Sequence, residues 1–447
     1  MTGEGLTLTN FAPTAPDDID NLEHFGRILP SGYWEDAADA LGIGYAVEFG
    51  QSMNVCATCE FTTIQGAVDA ATDGRTIYVG AGSYTSTNGI SVVDFGGKTI
   101  SLIGEGSDVT FMDGESINSG LAWVMDADES AEISGFTIEN CSTVENGGAI
   151  SVAGGTLTIT DCIFSNNDAT GPSSNGGGVS VSGEAAAIFD DCAFFNNTAV
   201  IDGGGLFVVD AGSSATLSWV QFRACTAGAS GGAIFGFEGT NCTIDICLFR
   251  NNQAASGGAV HLNCDVSSVS LSCFENNTGG AIRFAGVEAT VYECLFVANT
   301  YINNGNSIEN FLGTLTLQRS TFVENGDDIF THDAAVTMIS DSFFCGSTVV
   351  NGDASTAGYI VPFANEDLID LGNQFFTDCT TCQGDVNGDG EVDLGDLFAV
   401  IIASAFGCED CPEDLGGNGF VDTDDVLALI EMLNNRDRPC EVECPSD

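Results

Sequence analysis

Positive charge is nearly missing from this chain. Its 447 residues hold 9 Lys plus Arg against 64 Asp plus Glu, a formal net charge of -55, and Lys98 is the sole lysine. Such a surface repels nucleic acid and anionic membranes and attracts Ca²⁺ and other counterions, which sets nucleic-acid binding aside. No apolar run approaches the ~18 residues that a membrane-spanning helix needs. The N-terminal stretch MTGEGLTLTNF lacks the basic start and apolar core of a secretory signal. With a single lysine, a lyase site could come only from arginine, histidine or tyrosine, and no hydrolase-like paired-aspartate motif is present, so no catalytic residue is assigned.

What the chain has instead is glycine (57), phenylalanine (30) and cysteine (18). From Phe136 these recur with a period. Phenylalanines stand at Phe136, Phe164, Phe194, Phe222, Phe249, Phe274, Phe296, Phe322 and Phe344, spaced 22 to 30 residues apart, many followed by asparagine as in FSNN, FFNN, FRNN and FENN. Between them recurs a glycine pair, then a small residue and an aliphatic one: GGAI at Gly147, GGGV at Gly176, GGGL at Gly203, GGAI at Gly231, GGAV at Gly257 and GGAI at Gly279. A repeat of this length with several short strands suits one coil of a parallel β-solenoid, with Phe inside and asparagines stacked at a corner. Leucine-rich repeats share the length but need a leucine ladder that is missing. Asp161 and Asp191 recur in DCxF at one repeat position, which reads as a corner role.

Ahead of the repeats, Thr62 and Gln65 fit a capping box, and Ile64, Ala67, Val68 and Ala71 share a helical face that ends at Gly74. This helix caps the open end of the stack. Residues 1–55 carry no strong period; a short helix is expected over 34–41. The chain then divides into an unassigned extension (1–55), a solenoid (56–378) and a C-terminal module (379–447).

The GGA[ILV] and FxxN pairing, with the opening FTTIQGAVDAATDGRTIYVGAGSY at 61–84, resembles the pectin-lyase-like superfamily, in particular the polymorphic outer-membrane protein repeat. The resemblance spans residues 60–376 and implies an all-β right-handed parallel β-helix. It specifies fold better than function, since adhesins, glycan lyases, hydrolases and epimerases share the scaffold.

Strand alternation tests for a site. If Ile150, Val179, Leu206, Ile234, Val260 and Ile282 face inward, then Ser151, Ser180, Phe207, Phe235, His261 and Arg283 face outward in one column. Phe207 and Phe235 would stack on sugar rings while His261 and Arg283 pair with a carboxylate or sulfate. The alternative is that turns cover the two rings.

At 385–396 the sequence DVNGDGEVDLGD is a calcium loop. Asp385, Asn387, Asp389, Asp393 and Asp396 supply side-chain oxygens, the Glu391 carbonyl serves the seventh position, and Gly390 permits the turn. A weaker copy at 414–425 offers Asp414, Asn418, the Phe420 carbonyl, Asp422 and Asp425, with Gly416 in place of an oxygen donor, so two Ca²⁺ sites are expected, the second weaker. Each loop precedes an apolar helix pattern. Residues 384–437 resemble a type I dockerin, which implies an α-helical, EF-hand-type domain docking onto a cohesin-like partner. At the dockerin specificity positions stand Leu394/Gly395 and Thr423/Asp424, unlike the Ser/Thr pairs of cellulosomal examples.

Eighteen cysteines favour an oxidising compartment. The close pairs Cys379/Cys382 and Cys408/Cys411 admit a zinc ribbon, although disulfide staples better suit a domain built on calcium loops. Cys162, Cys192, Cys247 and Cys294 each precede their Phe by two residues and form one interior ladder, as disulfides or as buried thiols. The expectation is a secreted or cell-surface, calcium-binding protein whose solenoid binds polysaccharide or cell-surface glycan. An acidic-polysaccharide lyase or glycoside hydrolase carried by the same tail is the alternative.

Overall fold

The computed structural model describes Glu23–Ile28, Trp34–Ala38, residues 53–286 and 288–300, and, with short gaps, strands as far as Gln374–Phe376. The C-terminal calcium module lies outside the described residues. The chain forms two compact units, Met1–Ser52 and Met53–Asp447. In the first, Glu23–Ile28 pairs antiparallel with Trp34–Ala38. Within the segment expected as a helix over 34–41, Trp34–Ala38 is a strand: Pro30, Ser31 and Gly32 stand between the two runs, turn formers that favour a hairpin over a helix.

The described residues of the second unit form an all-β parallel solenoid. Its helix, Ile64–Ala70, is capped by Thr63, whose hydroxyl accepts from the Gly66 N–H at 3.1 Å. The cap is thus one residue later than the Thr62 box. Gln65 does other work, donating to and accepting from the Asp94 backbone at 2.9 and 2.8 Å.

Coils pair in parallel register. One 11-stranded sheet runs from Ser91–Asp94 to Thr348–Gly352. A second wall carries the long strands Ser130–Glu139, Thr156–Ser165, Ala186–Phe195 and Ser214–Arg223. Each long strand bends at one residue of positive φ: Gly135, Asp161, Asp191 and Trp219, continued by Ile246 and Leu271 in later coils. Asp161 and Asp191 are corner residues, as their recurrence suggested.

Inside, Phe164, Phe194, Phe222, Phe249, Phe274, Phe296, Phe322 and Phe344 form a stack with ring centroids 4.5 to 5.2 Å apart. Parallel register places identical rings at the ~4.8 Å strand spacing, close to the optimum for offset stacking. Phe136 is not in this stack. Ile138 pairs with Phe164, whereas Phe136 pairs with Cys162. Its column continues through Cys162, Cys192 and Val220. The cysteines of this ladder are free thiols, and burial pushes Cys192, Cys247 and Cys294 up to about 12.

Buried asparagines run beside the rings. Asn277 Oδ1 accepts from the Asn252 backbone N–H at 2.9 Å and its side-chain amide at 3.1 Å, while Asn277 Nδ2 donates to the Phe249 carbonyl at 2.9 Å. Asn167, Asn197, Asn299 and Asn325 repeat the pattern. Each amide satisfies corner groups that a sheet ladder leaves unpaired.

The glycine pairs have two separate causes. The first glycine has positive φ, and at every pair before Gly279 a Cβ there would overlap the carbonyl oxygen of the aliphatic residue three positions on, as at Gly231 and Ile234. At the second, a Cβ would overlap the next coil, as Gly232 would with the Gly258 carbonyl.

Candidate ligand-binding face

The 11-stranded sheet sets the register of the expected column. Ser151, Ser180, Phe207, Phe235, His261 and Arg283 are consecutive Cα partners, and the column continues through Glu309 and Phe330. Ile150, Val179, Leu206, Ile234, Val260 and Ile282 are buried opposite them. The two aromatic members are nevertheless covered: Phe207 is 6 % and Phe235 7 % exposed, with their rings stacked at 5.7 Å. Each rests against a glycine corner; a Cβ on Gly176 or Gly231 would come within 3.1 Å of the Cβ of Phe207 or Phe235. They support the face and do not present flat rings to solvent.

The rings that reach solvent stand two residues further along. Phe237 is 45 % and Phe311 43 % exposed. In strand alternation they fall on the same outward face, in a second column whose intermediate rungs are Asn263 and Ala285. The two rings are three rungs apart, about 14 Å at strand spacing, with small residues between them. Continuing the alternation past the first outward residue was the signal that could have found them.

Polar groups gather beside Phe311. Arg283 Nη1 donates to Ser256 Oγ at 2.9 Å and lies 3.4 Å from Glu309 Oε2. His332 Nε2 donates to Glu309 Oε1 at 2.7 Å. The Arg283 guanidinium lies over the Phe311 ring at 4.4 Å, and His332 meets Phe311 and Phe330 edge-on, both at 4.7 Å. Arg283 and His261 are thus in register and joined by two residues the sequence reading did not include, Glu309 and His332. These come from later coils whose phase shifts with turn length.

Two buried polar atoms of this face have no hydrogen-bond partner among the described residues, His261 Nδ1 and Arg283 Nε. Burial and the neighbouring Arg283 charge lower the His261 pKa to about 3, so its ring is neutral at ordinary pH. With Arg283 balanced by Glu309, the face is close to neutral on a strongly acidic chain. It offers exposed rings and little net charge. Among the described residues, no group of three or more His, Cys, Asp or Glu side chains could hold a metal ion, and no helix is long and apolar enough to cross a membrane.

No family model matches the sequence. Over 236 residues the chain is 23 % identical to metabotropic glutamate receptor-like protein R of Dictyostelium discoideum, covering 51 % of this chain and 13 % of that protein. The chain therefore spans a small part of that relative. Among solved structures, the PL6 family alginate lyase AlyGC matches 66 % of this chain and 48 % of its own, at 11 % identity and a TM-score of 0.39. The PL6 family polysaccharide lyase Pedsa3628 from Pseudopedobacter saltans matches 73 % of this chain and 91 % of its own, at 11 % identity and a TM-score of 0.37. The described residues from Met53 onward form a parallel β-solenoid, and polysaccharide lyases are among the solved structures it matches.

Proposed function

We propose that the solenoid is a secreted or cell-surface glycan-binding module whose binding face is the Phe237 to Phe311 surface. The observation that carries this is the pair of exposed rings on one face, separated in register by Asn263 and Ala285. Aromatic faces stack on the apolar side of a sugar ring. The neutral His261 and the paired Arg283 favour a ligand of low charge over a polyanion. Retention on a panel of immobilised neutral and acidic polysaccharides tests the reading. Phe237→Ala with Phe311→Ala should abolish retention, and unchanged retention would remove this face from consideration.

A second reading, an acidic-polysaccharide lyase or glycoside hydrolase, is favoured by the Glu309 and His332 pair, an acid and a base in contact next to a guanidinium. Incubating acidic polysaccharides with the protein and finding neither unsaturated nor new reducing ends would count against it.

The C-terminal module is proposed to bind two Ca²⁺ ions and to attach the solenoid to a cohesin-like partner. The donor set of the first loop, Asp385, Asn387, Asp389, the Glu391 carbonyl, Asp393 and Asp396, is all oxygen, which suits a hard cation. Calorimetric titration of the full chain should show calcium uptake that Asp385→Ala with Asp389→Ala reduces. Identical uptake by the variant would sink the assignment.

A further inference from the structure

In the interior column of the 11-stranded sheet, Val152, Val181 and Val208 are followed by Gly236, then by Leu262 and Phe284. A glycine at this rung should leave a hole where every neighbouring coil has an aliphatic or aromatic side chain. The hole is filled by sulfur. A Cβ on Gly236 would overlap the Sγ atoms of both Cys242 and Cys264, and would come 3.2 Å from Leu262 Cδ2. Cys242 lies on Asn241–Asp245, one of the strands of the second wall; Cys264 lies in the turn between Val260–Leu262 and Val266–Ser270, in the next coil. Both are fully buried.

These thiols differ from the others in the core. Cys162, Cys192, Cys225 and Cys294 each donate to a carbonyl of the preceding coil, that of Ile133, Ile159, Phe194 or Val269. Cys162 and Cys192 are also in parallel register, which keeps their side chains side by side at the ~4.8 Å rung spacing, longer than the ~3.5–4.5 Å between the Cβ atoms of a disulfide. Cys242 and Cys264 instead meet each other from different walls. The Cys264 sulfur also lies 3.2 Å from the Thr240 hydroxyl. Mutual side-chain hydrogen bonding of the two cysteines, more than burial, raises the Cys242 pKa and draws that of Cys264 down.

We infer that Cys242 and Cys264 are a disulfide-forming pair, a covalent staple that joins two successive coils directly beneath Phe235 and Phe237. Closure removes two thiol hydrogens and two electrons. With oxidised glutathione as acceptor, one cysteine sulfur attacks the glutathione disulfide and releases a glutathione thiol; the second then attacks the mixed disulfide and releases another. Because both sulfurs are buried in the folded chain, exchange takes place while this part of the solenoid is still open. The bond would then be sealed from reductant. Glycine at 236 is required because any side chain there would drive the sulfurs apart.

The test refolds the full chain, denatured and reduced, in a glutathione mixture oxidising enough to close Cys56–Cys59, the disulfide already present in the structure. The protein is then unfolded in guanidinium with excess iodoacetamide, digested and mapped by mass spectrometry. A Cys242–Cys264 linked peptide pair, two hydrogens lighter than its parts and free of label, is expected. It should be absent from Cys242→Ser and retained in Cys192→Ser. The thermal midpoint of the refolded wild type should fall by several degrees on reduction under unfolding conditions, and that of Cys242→Ser by much less. Quantitative labelling of both Cys242 and Cys264 alongside a closed Cys56–Cys59, or either one linked to another cysteine, would overturn the inference.

Discussion

The Arg283 guanidinium lies 4.4 Å from the centroid of the Phe311 ring, and the same side chain reaches Glu309 at 3.4 Å. One residue therefore holds an exposed ring in place and neutralises the carboxylate behind it. Planarity matters, because a guanidinium covers an aromatic face as an ammonium does not.

Arg283→Ala should lower stability by about 1–3 kcal/mol, since it leaves a largely buried Glu309 with His332 as its remaining partner and uncovers Phe311. Arg283→Lys should recover part of the charge term and little of the stacking. Denaturant unfolding and glycan retention measured on both variants separate the two contributions: retention should follow ring coverage, with Lys closer to Ala than to wild type.

Acid should weaken the fold through His261. Its folded pKa, lowered to about 3 by burial and then by Arg283, lies below the ordinary 6.5. Between those values the unfolded chain takes up a proton that the folded chain refuses, so stability is lost as pH falls from about 6.5 toward 3. The loss by pH 5 should be about 2 kcal/mol from this group alone. His261→Gln should flatten that portion of a urea-stability profile, and an unchanged slope would show that His261 is protonated in the fold.

Two neighbouring asparagines should respond differently to alanine. Asn277→Ala strips buried partners from the Asn252 N–H and the Phe249 carbonyl, an expected cost of about 2–5 kcal/mol. Asn276 is exposed at φ 53° and loses its tolerance of that conformation and one solvent-exposed hydrogen bond to Glu275 Oε1, about 1 kcal/mol. Comparable effects in chemical denaturation would mean the amide ladder is not holding the corner.

Glycine positions divide in the same way. Gly232→Ala drives a Cβ into the Gly258 carbonyl of the next coil and should disrupt the stack, visible as loss of cooperative unfolding or of soluble protein. Gly183→Ala has φ +64° but meets nothing closer than 3.4 Å. It should cost about 1 kcal/mol and leave the transition cooperative.

Much of this was legible in the residues because a solenoid repeats its requirements. Each coil must place a glycine where a Cβ would strike backbone, a ring above a ring and an amide at a corner, so the same letters return every 22 to 30 residues and alternation gives the facing of each strand. The outward column from Ser151 to Arg283 followed from that alone. The exposure of its members did not. Phe207 and Phe235 have the same outward register as His261, yet they pack against glycine corners, while Phe237 and Phe311, two residues along, reach solvent. The first phenylalanine of the series was misplaced for a related reason: Phe136 and Ile138 are both inward, and only pairing with the next coil selects Ile138 for the ring column.

The sequence by itself determined a parallel solenoid, its interior columns and which side chains share a face, because these depend on period-2 alternation and on backbone needs that recur locally. Tertiary structure decided which rings remain exposed, that Glu309 and His332 join Arg283, and that Cys242 meets Cys264 in the space left at Gly236. Those contacts join different coils or walls, and they depend on turn length and side-chain volume at one rung, quantities that a repeating pattern averages away.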